Sequence, residues 1–206
     1  MLDTKIVAVA DVHGCYDLLA KTLEKYYATN SELIFLGDLI DRSPQKFGDR
    51  KVVTYVRNLQ KNPQDYGLKG VTVLRGNHEQ LCIDAVRSND FELWEWNGAA
   101  NSFRDYCMTN PDIVDWMDQL PYYAIRGEYL FVHAGVRPGV DIKEQDPHDL
   151  IWIRDPFLNY SHDLPYTIVH GHTIQQSETP VYGDKRISMD LGAFATGNLC
   201  TLPLTV

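Results

Sequence analysis

The chain has 206 residues, 44% of them hydrophobic and 23% charged, which suits a single globular domain spanning residues 1–206. No apolar run approaches the ~20 residues that cross a bilayer, and the N-terminal stretch has no small-residue cleavage site. We therefore expect a cytoplasmic protein with no membrane partner. The net charge of −9 disfavours nucleic-acid binding, because an acidic surface repels the phosphate backbone.

The first half of the chain alternates predicted strands and predicted helices. Apolar runs of strand length cover residues 5–10, 32–37 and 71–74. The helical pattern covers residues 16–27, 51–60, 79–87 and much of 91–120. Each of the three strands is followed at once by polar residues, namely DVHG, Asp38 and RGNHE.

The second half is predicted to be mostly β. Residues 124–131 form a predicted hairpin with a Gly-Glu turn. Further strand-like runs, 128–133, 167–173 and 186–192, carry His133, His170, His172 and Asp190. Because ligand sites in layered α/β proteins gather beyond the carboxyl ends of strands, we expect these polar residues to meet at one edge. The fold prediction is an α/β protein, a two-sheet β-sandwich flanked by helices (α/β/β/α).

The strand ends supply carboxylate, imidazole and amide groups, which is a mixed oxygen and nitrogen ligand set. The candidate donors are Asp11, His13, Asp38, Asn77, His133 and His172. With no thiolate, the set suits Mn, Fe, Zn or a similar first-row ion. There are too many donors for one ion, and a pair of ions bridged by a carboxylate is a standard arrangement for phosphoester cleavage.

Two further kinds of residue complete the predicted site. A His held by a carboxylate can protonate a departing alkoxide. Arg42 and Arg154, which follow apolar runs, offer planar guanidinium groups for phosphate oxygens.

The motifs DVHG, GDLIDR, GNHE, HAG and GHT, in this order and spacing, resemble the phosphoprotein phosphatase branch of the calcineurin-like metallophosphoesterases. The pattern spans roughly residues 5–200. The segments WEWNGAANSF (94–103) and LIWIRDPF (150–157) are most similar to the compact phage and bacterial members. The resemblance implies a phosphomonoesterase for phosphoserine and phosphothreonine in proteins or peptides, with phosphotyrosine as a further substrate.

The resemblance also implies a role for each candidate donor. The first ion would be held by Asp11 and His13, and Asp38 would bridge both ions. The second ion would be completed by Asn77, His133 and His172. We expect two divalent ions, Mn²⁺ ahead of Fe or Zn.

The same resemblance assigns the remaining chemistry. His78 would be the general acid, paired with Asp41, while Arg42 and Arg154 would bind phosphate. The four scattered cysteines, which include Cys15, form no CxxC pair and are expected to be free thiols without a nucleophilic role.

Three positions depart from the family pattern. The family has Gly where this chain has Ala10 and Ser43, and the larger eukaryotic members have Gly where Ala134 follows His133. Ala10 is a mild change at a strand end. If the turn at Ser43 required a positive φ, a serine there would be strained by about 1 kcal/mol.

Other polar and aromatic residues receive less specific predictions. His170 is expected to line or support the site, and Asp190 either orients a ligand His or stabilises a turn. Glu79 is expected to serve its helix N-terminus. His148 and His162 are predicted surface residues. The tryptophans are predicted to be core residues, with Trp152 nearest the site.

Two alternative functions stay open at this point. A close branch of the family hydrolyses dinucleoside polyphosphates with the same core, although no basic or aromatic nucleotide pocket is recognisable in the sequence. A non-catalytic scaffold is the third reading, and it is disfavoured because such a protein should have lost its acid His or its phosphate arginines.

Overall fold

Strand β1 (Lys5–Val9) is apolar on both faces, and this pattern sets the layers of the fold. In the computed structural model, which describes residues 5–206, Ile6 and Ala8 face a second sheet. Val7 and Val9 face the helices instead. A strand buried on both faces reads as a continuous apolar run, which is why the segment KIVAV carries so little polar character.

Between residues 5 and 206, nine strands form two mixed sheets. They are β1 (Lys5–Val9), β2 (Glu32–Phe35), β3 (Gly70–Val73), β4 (Tyr123–Arg126), β5 (Tyr129–Val132), β6 (Thr167–His170), β7 (Val181–Gly183), β8 (Arg186–Ser188) and β9 (Thr201–Thr205). The first sheet has the order β3-β2-β1-β9 and the second β4-β5-β6-β8-β7. Within the first, β1 runs parallel to β2 with Ile6 opposite Glu32.

In the described part of the chain, eight α-helices cover the outer faces of the two sheets. They are α1 (Tyr16–Leu23), α2 (Gly48–Lys61), α3 (Asn77–Ser88), α4 (Glu92–Trp96), α5 (Asn101–Thr109), α6 (Pro111–Asp118), α7 (Pro147–Trp152) and α8 (Ala193–Thr196). Helices α1 to α6 pack on the first sheet around the buried Trp94 and Phe103. On the second sheet, Leu130 and Ile168 share a cluster with Leu150 of α7. The predicted two-sheet sandwich flanked by helices is confirmed.

The structure refines several boundaries. Residues 91–120 form three helices, with Gly98 after the first and Pro111 opening the third. The predicted hairpin is confirmed, with Gly127 and Glu128 between β4 and β5. Strand β9 was not predicted; its segment TLPLT contains Pro203, which is tolerated because β9 lies at the edge of its sheet. No helix within residues 5–206 is both long and apolar enough to span a bilayer.

Candidate active site

Five strand ends bring the predicted ligands together. His13 follows β1, Asp38 follows β2, Asn77 opens α3 after β3, His133 follows β5 and His172 follows β6. All five side chains are buried, as is that of Asp11. The two sheets therefore contribute to one site, β1 to β3 from the first and β5 and β6 from the second.

Asp38 is shared by two clusters of potential ligand atoms. In the first cluster, its Oδ2 lies 3.6 Å from Nε2 of His13 and 3.9 Å from Nε2 of His78. In the second, its Oδ1 lies 3.4 Å from Nε2 of His133, and His172 completes the group. One carboxylate that presents each oxygen to a different group of imidazoles is the arrangement required of a bridging ligand.

Backbone carbonyls fix the orientation of two of these rings. Nδ1–H of His13 donates to the Ile40 carbonyl at 2.8 Å, and Nδ1–H of His133 donates to the Leu36 carbonyl at 2.9 Å. Each ring then carries its lone pair on Nε2, the atom that points toward Asp38. A backbone partner at the far nitrogen is the usual way of holding a metal-binding imidazole in one tautomer.

Several acceptor atoms in the site lack a matching donor. Nε2 of His133 lies 2.8 Å from Oδ1 of Asn77, so two acceptors face each other. Oδ1 of Asp11 and Nε2 of His172 are buried without a hydrogen-bond partner among residues 5–206. Converging lone pairs of this kind are stabilised by a cation, and the oxygen and nitrogen donor set fits first-row divalent ions.

The carboxylates are costly to ionise in the protein alone. Burial raises the pKa of Asp11 well above its usual value, and Asp190 adds to the effect. Burial likewise raises the pKa of Asp38, with Asp11 adding to it. Two nearby divalent cations would offset both causes, so the residues present fit a dinuclear metal centre.

His78, a member of the first cluster, forms a buried pair with Asp41. Nδ1 of His78 lies 2.7 Å from Oδ2 of Asp41, and the indole N–H of Trp94 donates to the same oxygen at 2.8 Å. Burial lowers the pKa of His78 to about 3, and Arg42 adds to the effect. Burial raises the pKa of Asp41 to about 8. The other ring nitrogen of His78, Nε2, faces Asp38.

The two predicted phosphate-binding arginines are exposed beside the buried clusters. Nη1 of Arg42 lies 3.5 Å from Nε2 of His13, and its guanidinium lies 5.5 Å from the centre of the Phe194 ring. Arg154 is near enough to His172 to contribute to the lowered pKa of that ring, after burial and His133. Neither arginine forms an ion pair in the described part of the chain, so both are available to an anion.

Glycines are required where the loops cross the carboxylates. A Cβ at Gly76 would lie 2.2 Å from Oδ1 of Asp38, and one at Gly171 would lie 2.0 Å from Oδ1 of Asp11. Any side chain at either position would displace a predicted ligand. The Gly in RGNHE therefore makes room for Asp38 and lets Asn77 and His78 begin α3 at the site.

The backbone of the site is left-handed at several non-glycine residues. These are His13 (φ 44°), Asp38 (φ 52°), Asp41 (φ 69°), Arg42 (φ 57°) and His172 (φ 63°). Such conformations are uncommon for residues with a Cβ and concentrate at functional sites. Ser43 is not among them, so the strain considered for a serine at that position is absent; its hydroxyl instead donates to the Gly14 carbonyl at 3.0 Å.

Glu79 joins the second and third strand-end loops. Its buried carboxylate accepts the backbone N–H groups of Asp38, Leu39 and Gly76, each at 2.8 Å. Glu79 therefore binds the backbone at the N-terminus of α3, as predicted, and it also binds the loop that follows β2. This link holds the backbone of Asp38 against the start of α3.

We expect Glu79→Gln to lower the free energy of unfolding by about 2–4 kcal/mol, because a carboxamide loses one acceptor and turns an N–H toward buried amide donors. Urea denaturation followed by circular dichroism measures this difference. Glu92→Gln at the exposed start of α4 is the matched control and should change stability by less than about 0.5 kcal/mol. Equal denaturation midpoints for both variants would contradict the role of Glu79.

The family is decided by a comparison with known sequences. Residues 4–197 match the family of calcineurin-like phosphoesterases. The chain belongs to this family. Calcineurin-like phosphoesterases are metallophosphoesterases, and the predicted resemblance is thereby confirmed.

Relatives with two different names have similar sequence identities to this chain. The serine/threonine-protein phosphatase 1 of Salmonella typhimurium is 31% identical over 127 residues, which cover 60% of this chain and 46% of the relative. The symmetrical bis(5'-nucleosyl)-tetraphosphatase of Dechloromonas aromatica is 26% identical over 136 residues, which cover 64% of this chain and 44% of the relative. The chain thus spans about half the length of these relatives.

Solved structures show the same fold. A cold-active protein-tyrosine phosphatase from Shewanella superposes with a TM-score of 0.71 at 19% identity, covering 98% of this chain and 75% of that one. At this identity the likeness concerns the architecture, and it agrees with the two-sheet arrangement described above.

The structure also places the remaining predicted residues. The Trp152 ring lies 5.9 Å from that of His172, at its predicted place near the site. Nε2 of His170 lies 2.8 Å from the Ser188 hydroxyl, in the layer behind the ligands. Asp190 accepts the Gly192 N–H at 2.8 Å, as a turn-stabilising residue does.

Two of the less specific predictions are wrong. His162 is buried rather than exposed, because its ring stacks on Phe157 at 6.4 Å. Trp96 is 84% exposed, since α4 is a short surface helix whose inner face is taken by Trp94. The contact of Trp94 with Asp41 was not predicted either; the motif WEWNG was its only signal in the sequence.

The prediction of free, buried thiols is confirmed for all four cysteines. Burial raises the pKa of Cys15 to about 11, with Asp49 adding to the effect. Cys15 is therefore protonated at neutral pH, which does not suit a nucleophile.

Proposed function

We propose that the protein is a metal-dependent phosphomonoesterase that hydrolyses phosphoserine and phosphothreonine in proteins. The observation that carries the proposal is the position of Asp38 between two groups of imidazoles, next to the pair His78–Asp41. Two divalent cations bound there would lower the pKa of a coordinated water and neutralise phosphate charge. We infer Mn²⁺ as the preferred ion and the cytoplasm as the compartment.

His78 is proposed to protonate the leaving oxygen. Asp41, held by the indole of Trp94, is proposed to accept a hydrogen bond from Nδ1–H of His78 and so to keep Nε2 directed into the site. An anionic phosphate beside the ring favours the cationic imidazolium, which then has a proton to give from Nε2. Arg42 and Arg154 are proposed to hold the phosphate oxygens and so orient the ester for cleavage.

A surface groove beside the site supports a protein substrate. The groove has a volume of about 440 Å³, and its lining combines apolar residues, among them Leu93, Ile151 and Trp152, with the polar Gln80, Asp84 and His148. Since the Trp152 ring contacts His172, a side chain next to the phosphorylated residue can lie there. The serine/threonine phosphatase among the relatives supports the same choice.

A second candidate is hydrolysis of dinucleoside polyphosphates. Several relatives bear the name symmetrical bis(5'-nucleosyl)-tetraphosphatase, among them the proteins of Dechloromonas aromatica and Methylococcus capsulatus. The same ligands and the same phosphate arginines would serve an anhydride as well as an ester, so the discrimination lies in the groups beyond the phosphate.

We expect kcat/KM for a phosphoserine peptide to exceed that for diadenosine tetraphosphate by about tenfold or more, since one good apolar contact in a pocket discriminates by 10–200-fold. Release of phosphate and chromatography of nucleotides, measured on the same Mn²⁺-loaded preparation, give the two values. A phosphotyrosine peptide run in parallel reports the preference among phosphoresidues. A reversed ratio would establish hydrolysis of dinucleoside polyphosphates as the function. If no substrate were turned over, the non-catalytic scaffold would be the remaining hypothesis.

A further inference from the structure

A second concave surface lies between α1 and α2 and includes none of the predicted ligands. It has a volume of about 590 Å³, within the range of small-molecule sites. Its lining comprises Tyr16, Phe47, Arg50, Lys51, Thr54 and Tyr55, together with Asn58. We name this surface the α1–α2 groove.

One face of α2 supplies most of this lining. Arg50 and Lys51 lie three and four residues after Phe47, and Thr54 lies one turn further, so their side chains share one side of the helix. The first residue of α1, Tyr16, closes the opposite wall. Its ring meets that of Tyr55 edge to face at 5.6 Å.

Phe47 is the most exposed aromatic residue of the groove. Phe47 is 48% exposed and has a left-handed φ of 60°, a conformation that is rare for a bulky residue. The backbone is thus held in a strained form that leaves about half of the side chain exposed, with the Lys46 ammonium 5.1 Å from the centre of the ring. An exposed ring beside a partly exposed tyrosine is a surface on which a flat ligand can stack.

The groove lies on a locally basic segment of an acidic chain and contains two cations of that segment, Arg50 and Lys51. Residues 46–61 contain five Lys or Arg and a single acidic residue, Asp49, within a protein of net charge −9. Asp49 is buried, so it does not neutralise the surface. Neither Arg50 nor Lys51 forms an ion pair with any carboxylate in residues 5–206.

The cations are positioned by aromatic rings rather than by acids. The guanidinium of Arg50 lies 4.5 Å from the centre of the Tyr106 ring, and the ammonium of Lys51 lies 5.6 Å from that of Tyr16. Such contacts orient a cation and leave its hydrogen-bond donors open to an anion.

We propose that the α1–α2 groove binds a nucleoside phosphate. The base stacks on Phe47 and Tyr16, which need only a flat π face. The phosphate is held by the guanidinium of Arg50 and the ammonium of Lys51, and the Thr54 hydroxyl is left for a polar edge of the base or sugar. This binding site does not depend on the proposed phosphatase activity.

The test is equilibrium dialysis of AMP against the Mn²⁺-loaded protein, with chromatography to show that the AMP stays intact. We expect Arg50→Ala to weaken AMP binding about tenfold or more, as loss of a charge-assisted hydrogen bond does. Phe47→Ala should weaken it by about tenfold through lost stacking. Lys61→Ala, which removes an exposed cation of α2 outside the groove, should change the affinity by less than about twofold.

Further arms separate the groove from the active site and identify the ligand. Arg42→Ala should keep AMP binding, while Arg50→Ala and Phe47→Ala should keep turnover of nitrophenyl phosphate. Adenosine, inorganic phosphate and phosphotyrosine should each bind more weakly than AMP. Absence of AMP binding, or binding unchanged in both Arg50→Ala and Phe47→Ala, would overturn the proposal. If inorganic phosphate bound as tightly as AMP, the groove would be a general anion site. If phosphotyrosine bound more tightly than AMP, a nucleoside phosphate would be excluded as the preferred ligand.

Discussion

We expect Asp38→Asn to remove bound metal and activity together. Asn tolerates the left-handed backbone of this position and keeps an oxygen for the N–H of His78, so the loop should stay folded. The carboxamide is neutral, however, and presents only one acceptor where the two imidazole clusters need two. Breaking a buried charge pair costs about 3–5 kcal/mol, which corresponds to a loss of roughly 10²- to 10⁴-fold in kcat/KM.

Metal content per chain after gel filtration, measured beside turnover of nitrophenyl phosphate, checks this result. Asp149→Asn is the control, because Asp149 is a buried carboxylate that pairs with Arg137 at 2.6 Å outside both clusters. It should retain both metals and normal turnover. If Asp38→Asn keeps two metals and full activity, Asp38 is not the bridging ligand.

The effect of His78→Asn should depend on the leaving group. A serine alkoxide is a strong base and needs a proton as the P–O bond breaks, whereas nitrophenolate leaves almost unaided. General acid catalysis contributes typically 10²–10⁴-fold, so we expect a loss of about that size in kcat for a phosphoserine peptide. The loss for nitrophenyl phosphate should be clearly smaller, with the metal content unchanged.

Arg42→Ala provides the contrast to His78→Asn. Because Arg42 is proposed to hold phosphate rather than the leaving group, its loss should reduce both substrates by similar factors. Four values of kcat and the metal content of each variant complete the measurement. Equal losses on both substrates for His78→Asn, with chemistry rate-limiting, would leave His78 as a ligand or a positioning residue.

The sequence predicts the parts of the site that depend on strand ends. Apolar runs locate β1, β2 and β3, and parallel pairing then brings His13, Asp38 and Asn77 to one edge. His133 and His172 join them because the second sheet is also partly parallel, with β5 beside β6. The roles of these residues remain predictions, whereas their proximity is a finding of the structure.

Features that arise from contacts distant in sequence were not predictable in the same way. Trp94 reaches Asp41 from a helix 53 residues away, and no local pattern distinguishes its indole from that of the exposed Trp96. Glu79 carries a helix-cap signature, but its link to Leu39 depends on the packing of β2 against β3. The α1–α2 groove is of this kind too, since its residues come from separate helices.

Most natural domains have a free energy of unfolding of only about 5–15 kcal/mol. The backbone strain of the left-handed site residues is large on this scale. At about 1 kcal/mol each, the five non-glycine site residues with positive φ, His13, Asp38, Asp41, Arg42 and His172, together reduce the free energy of unfolding by an amount comparable to a large part of that total. Attempts to engineer a more heat-resistant form should therefore leave these loops alone. Glycine or asparagine at His13, Arg42 or His172 would relax the chain, but it would lose the side chains that the strained loops hold in place.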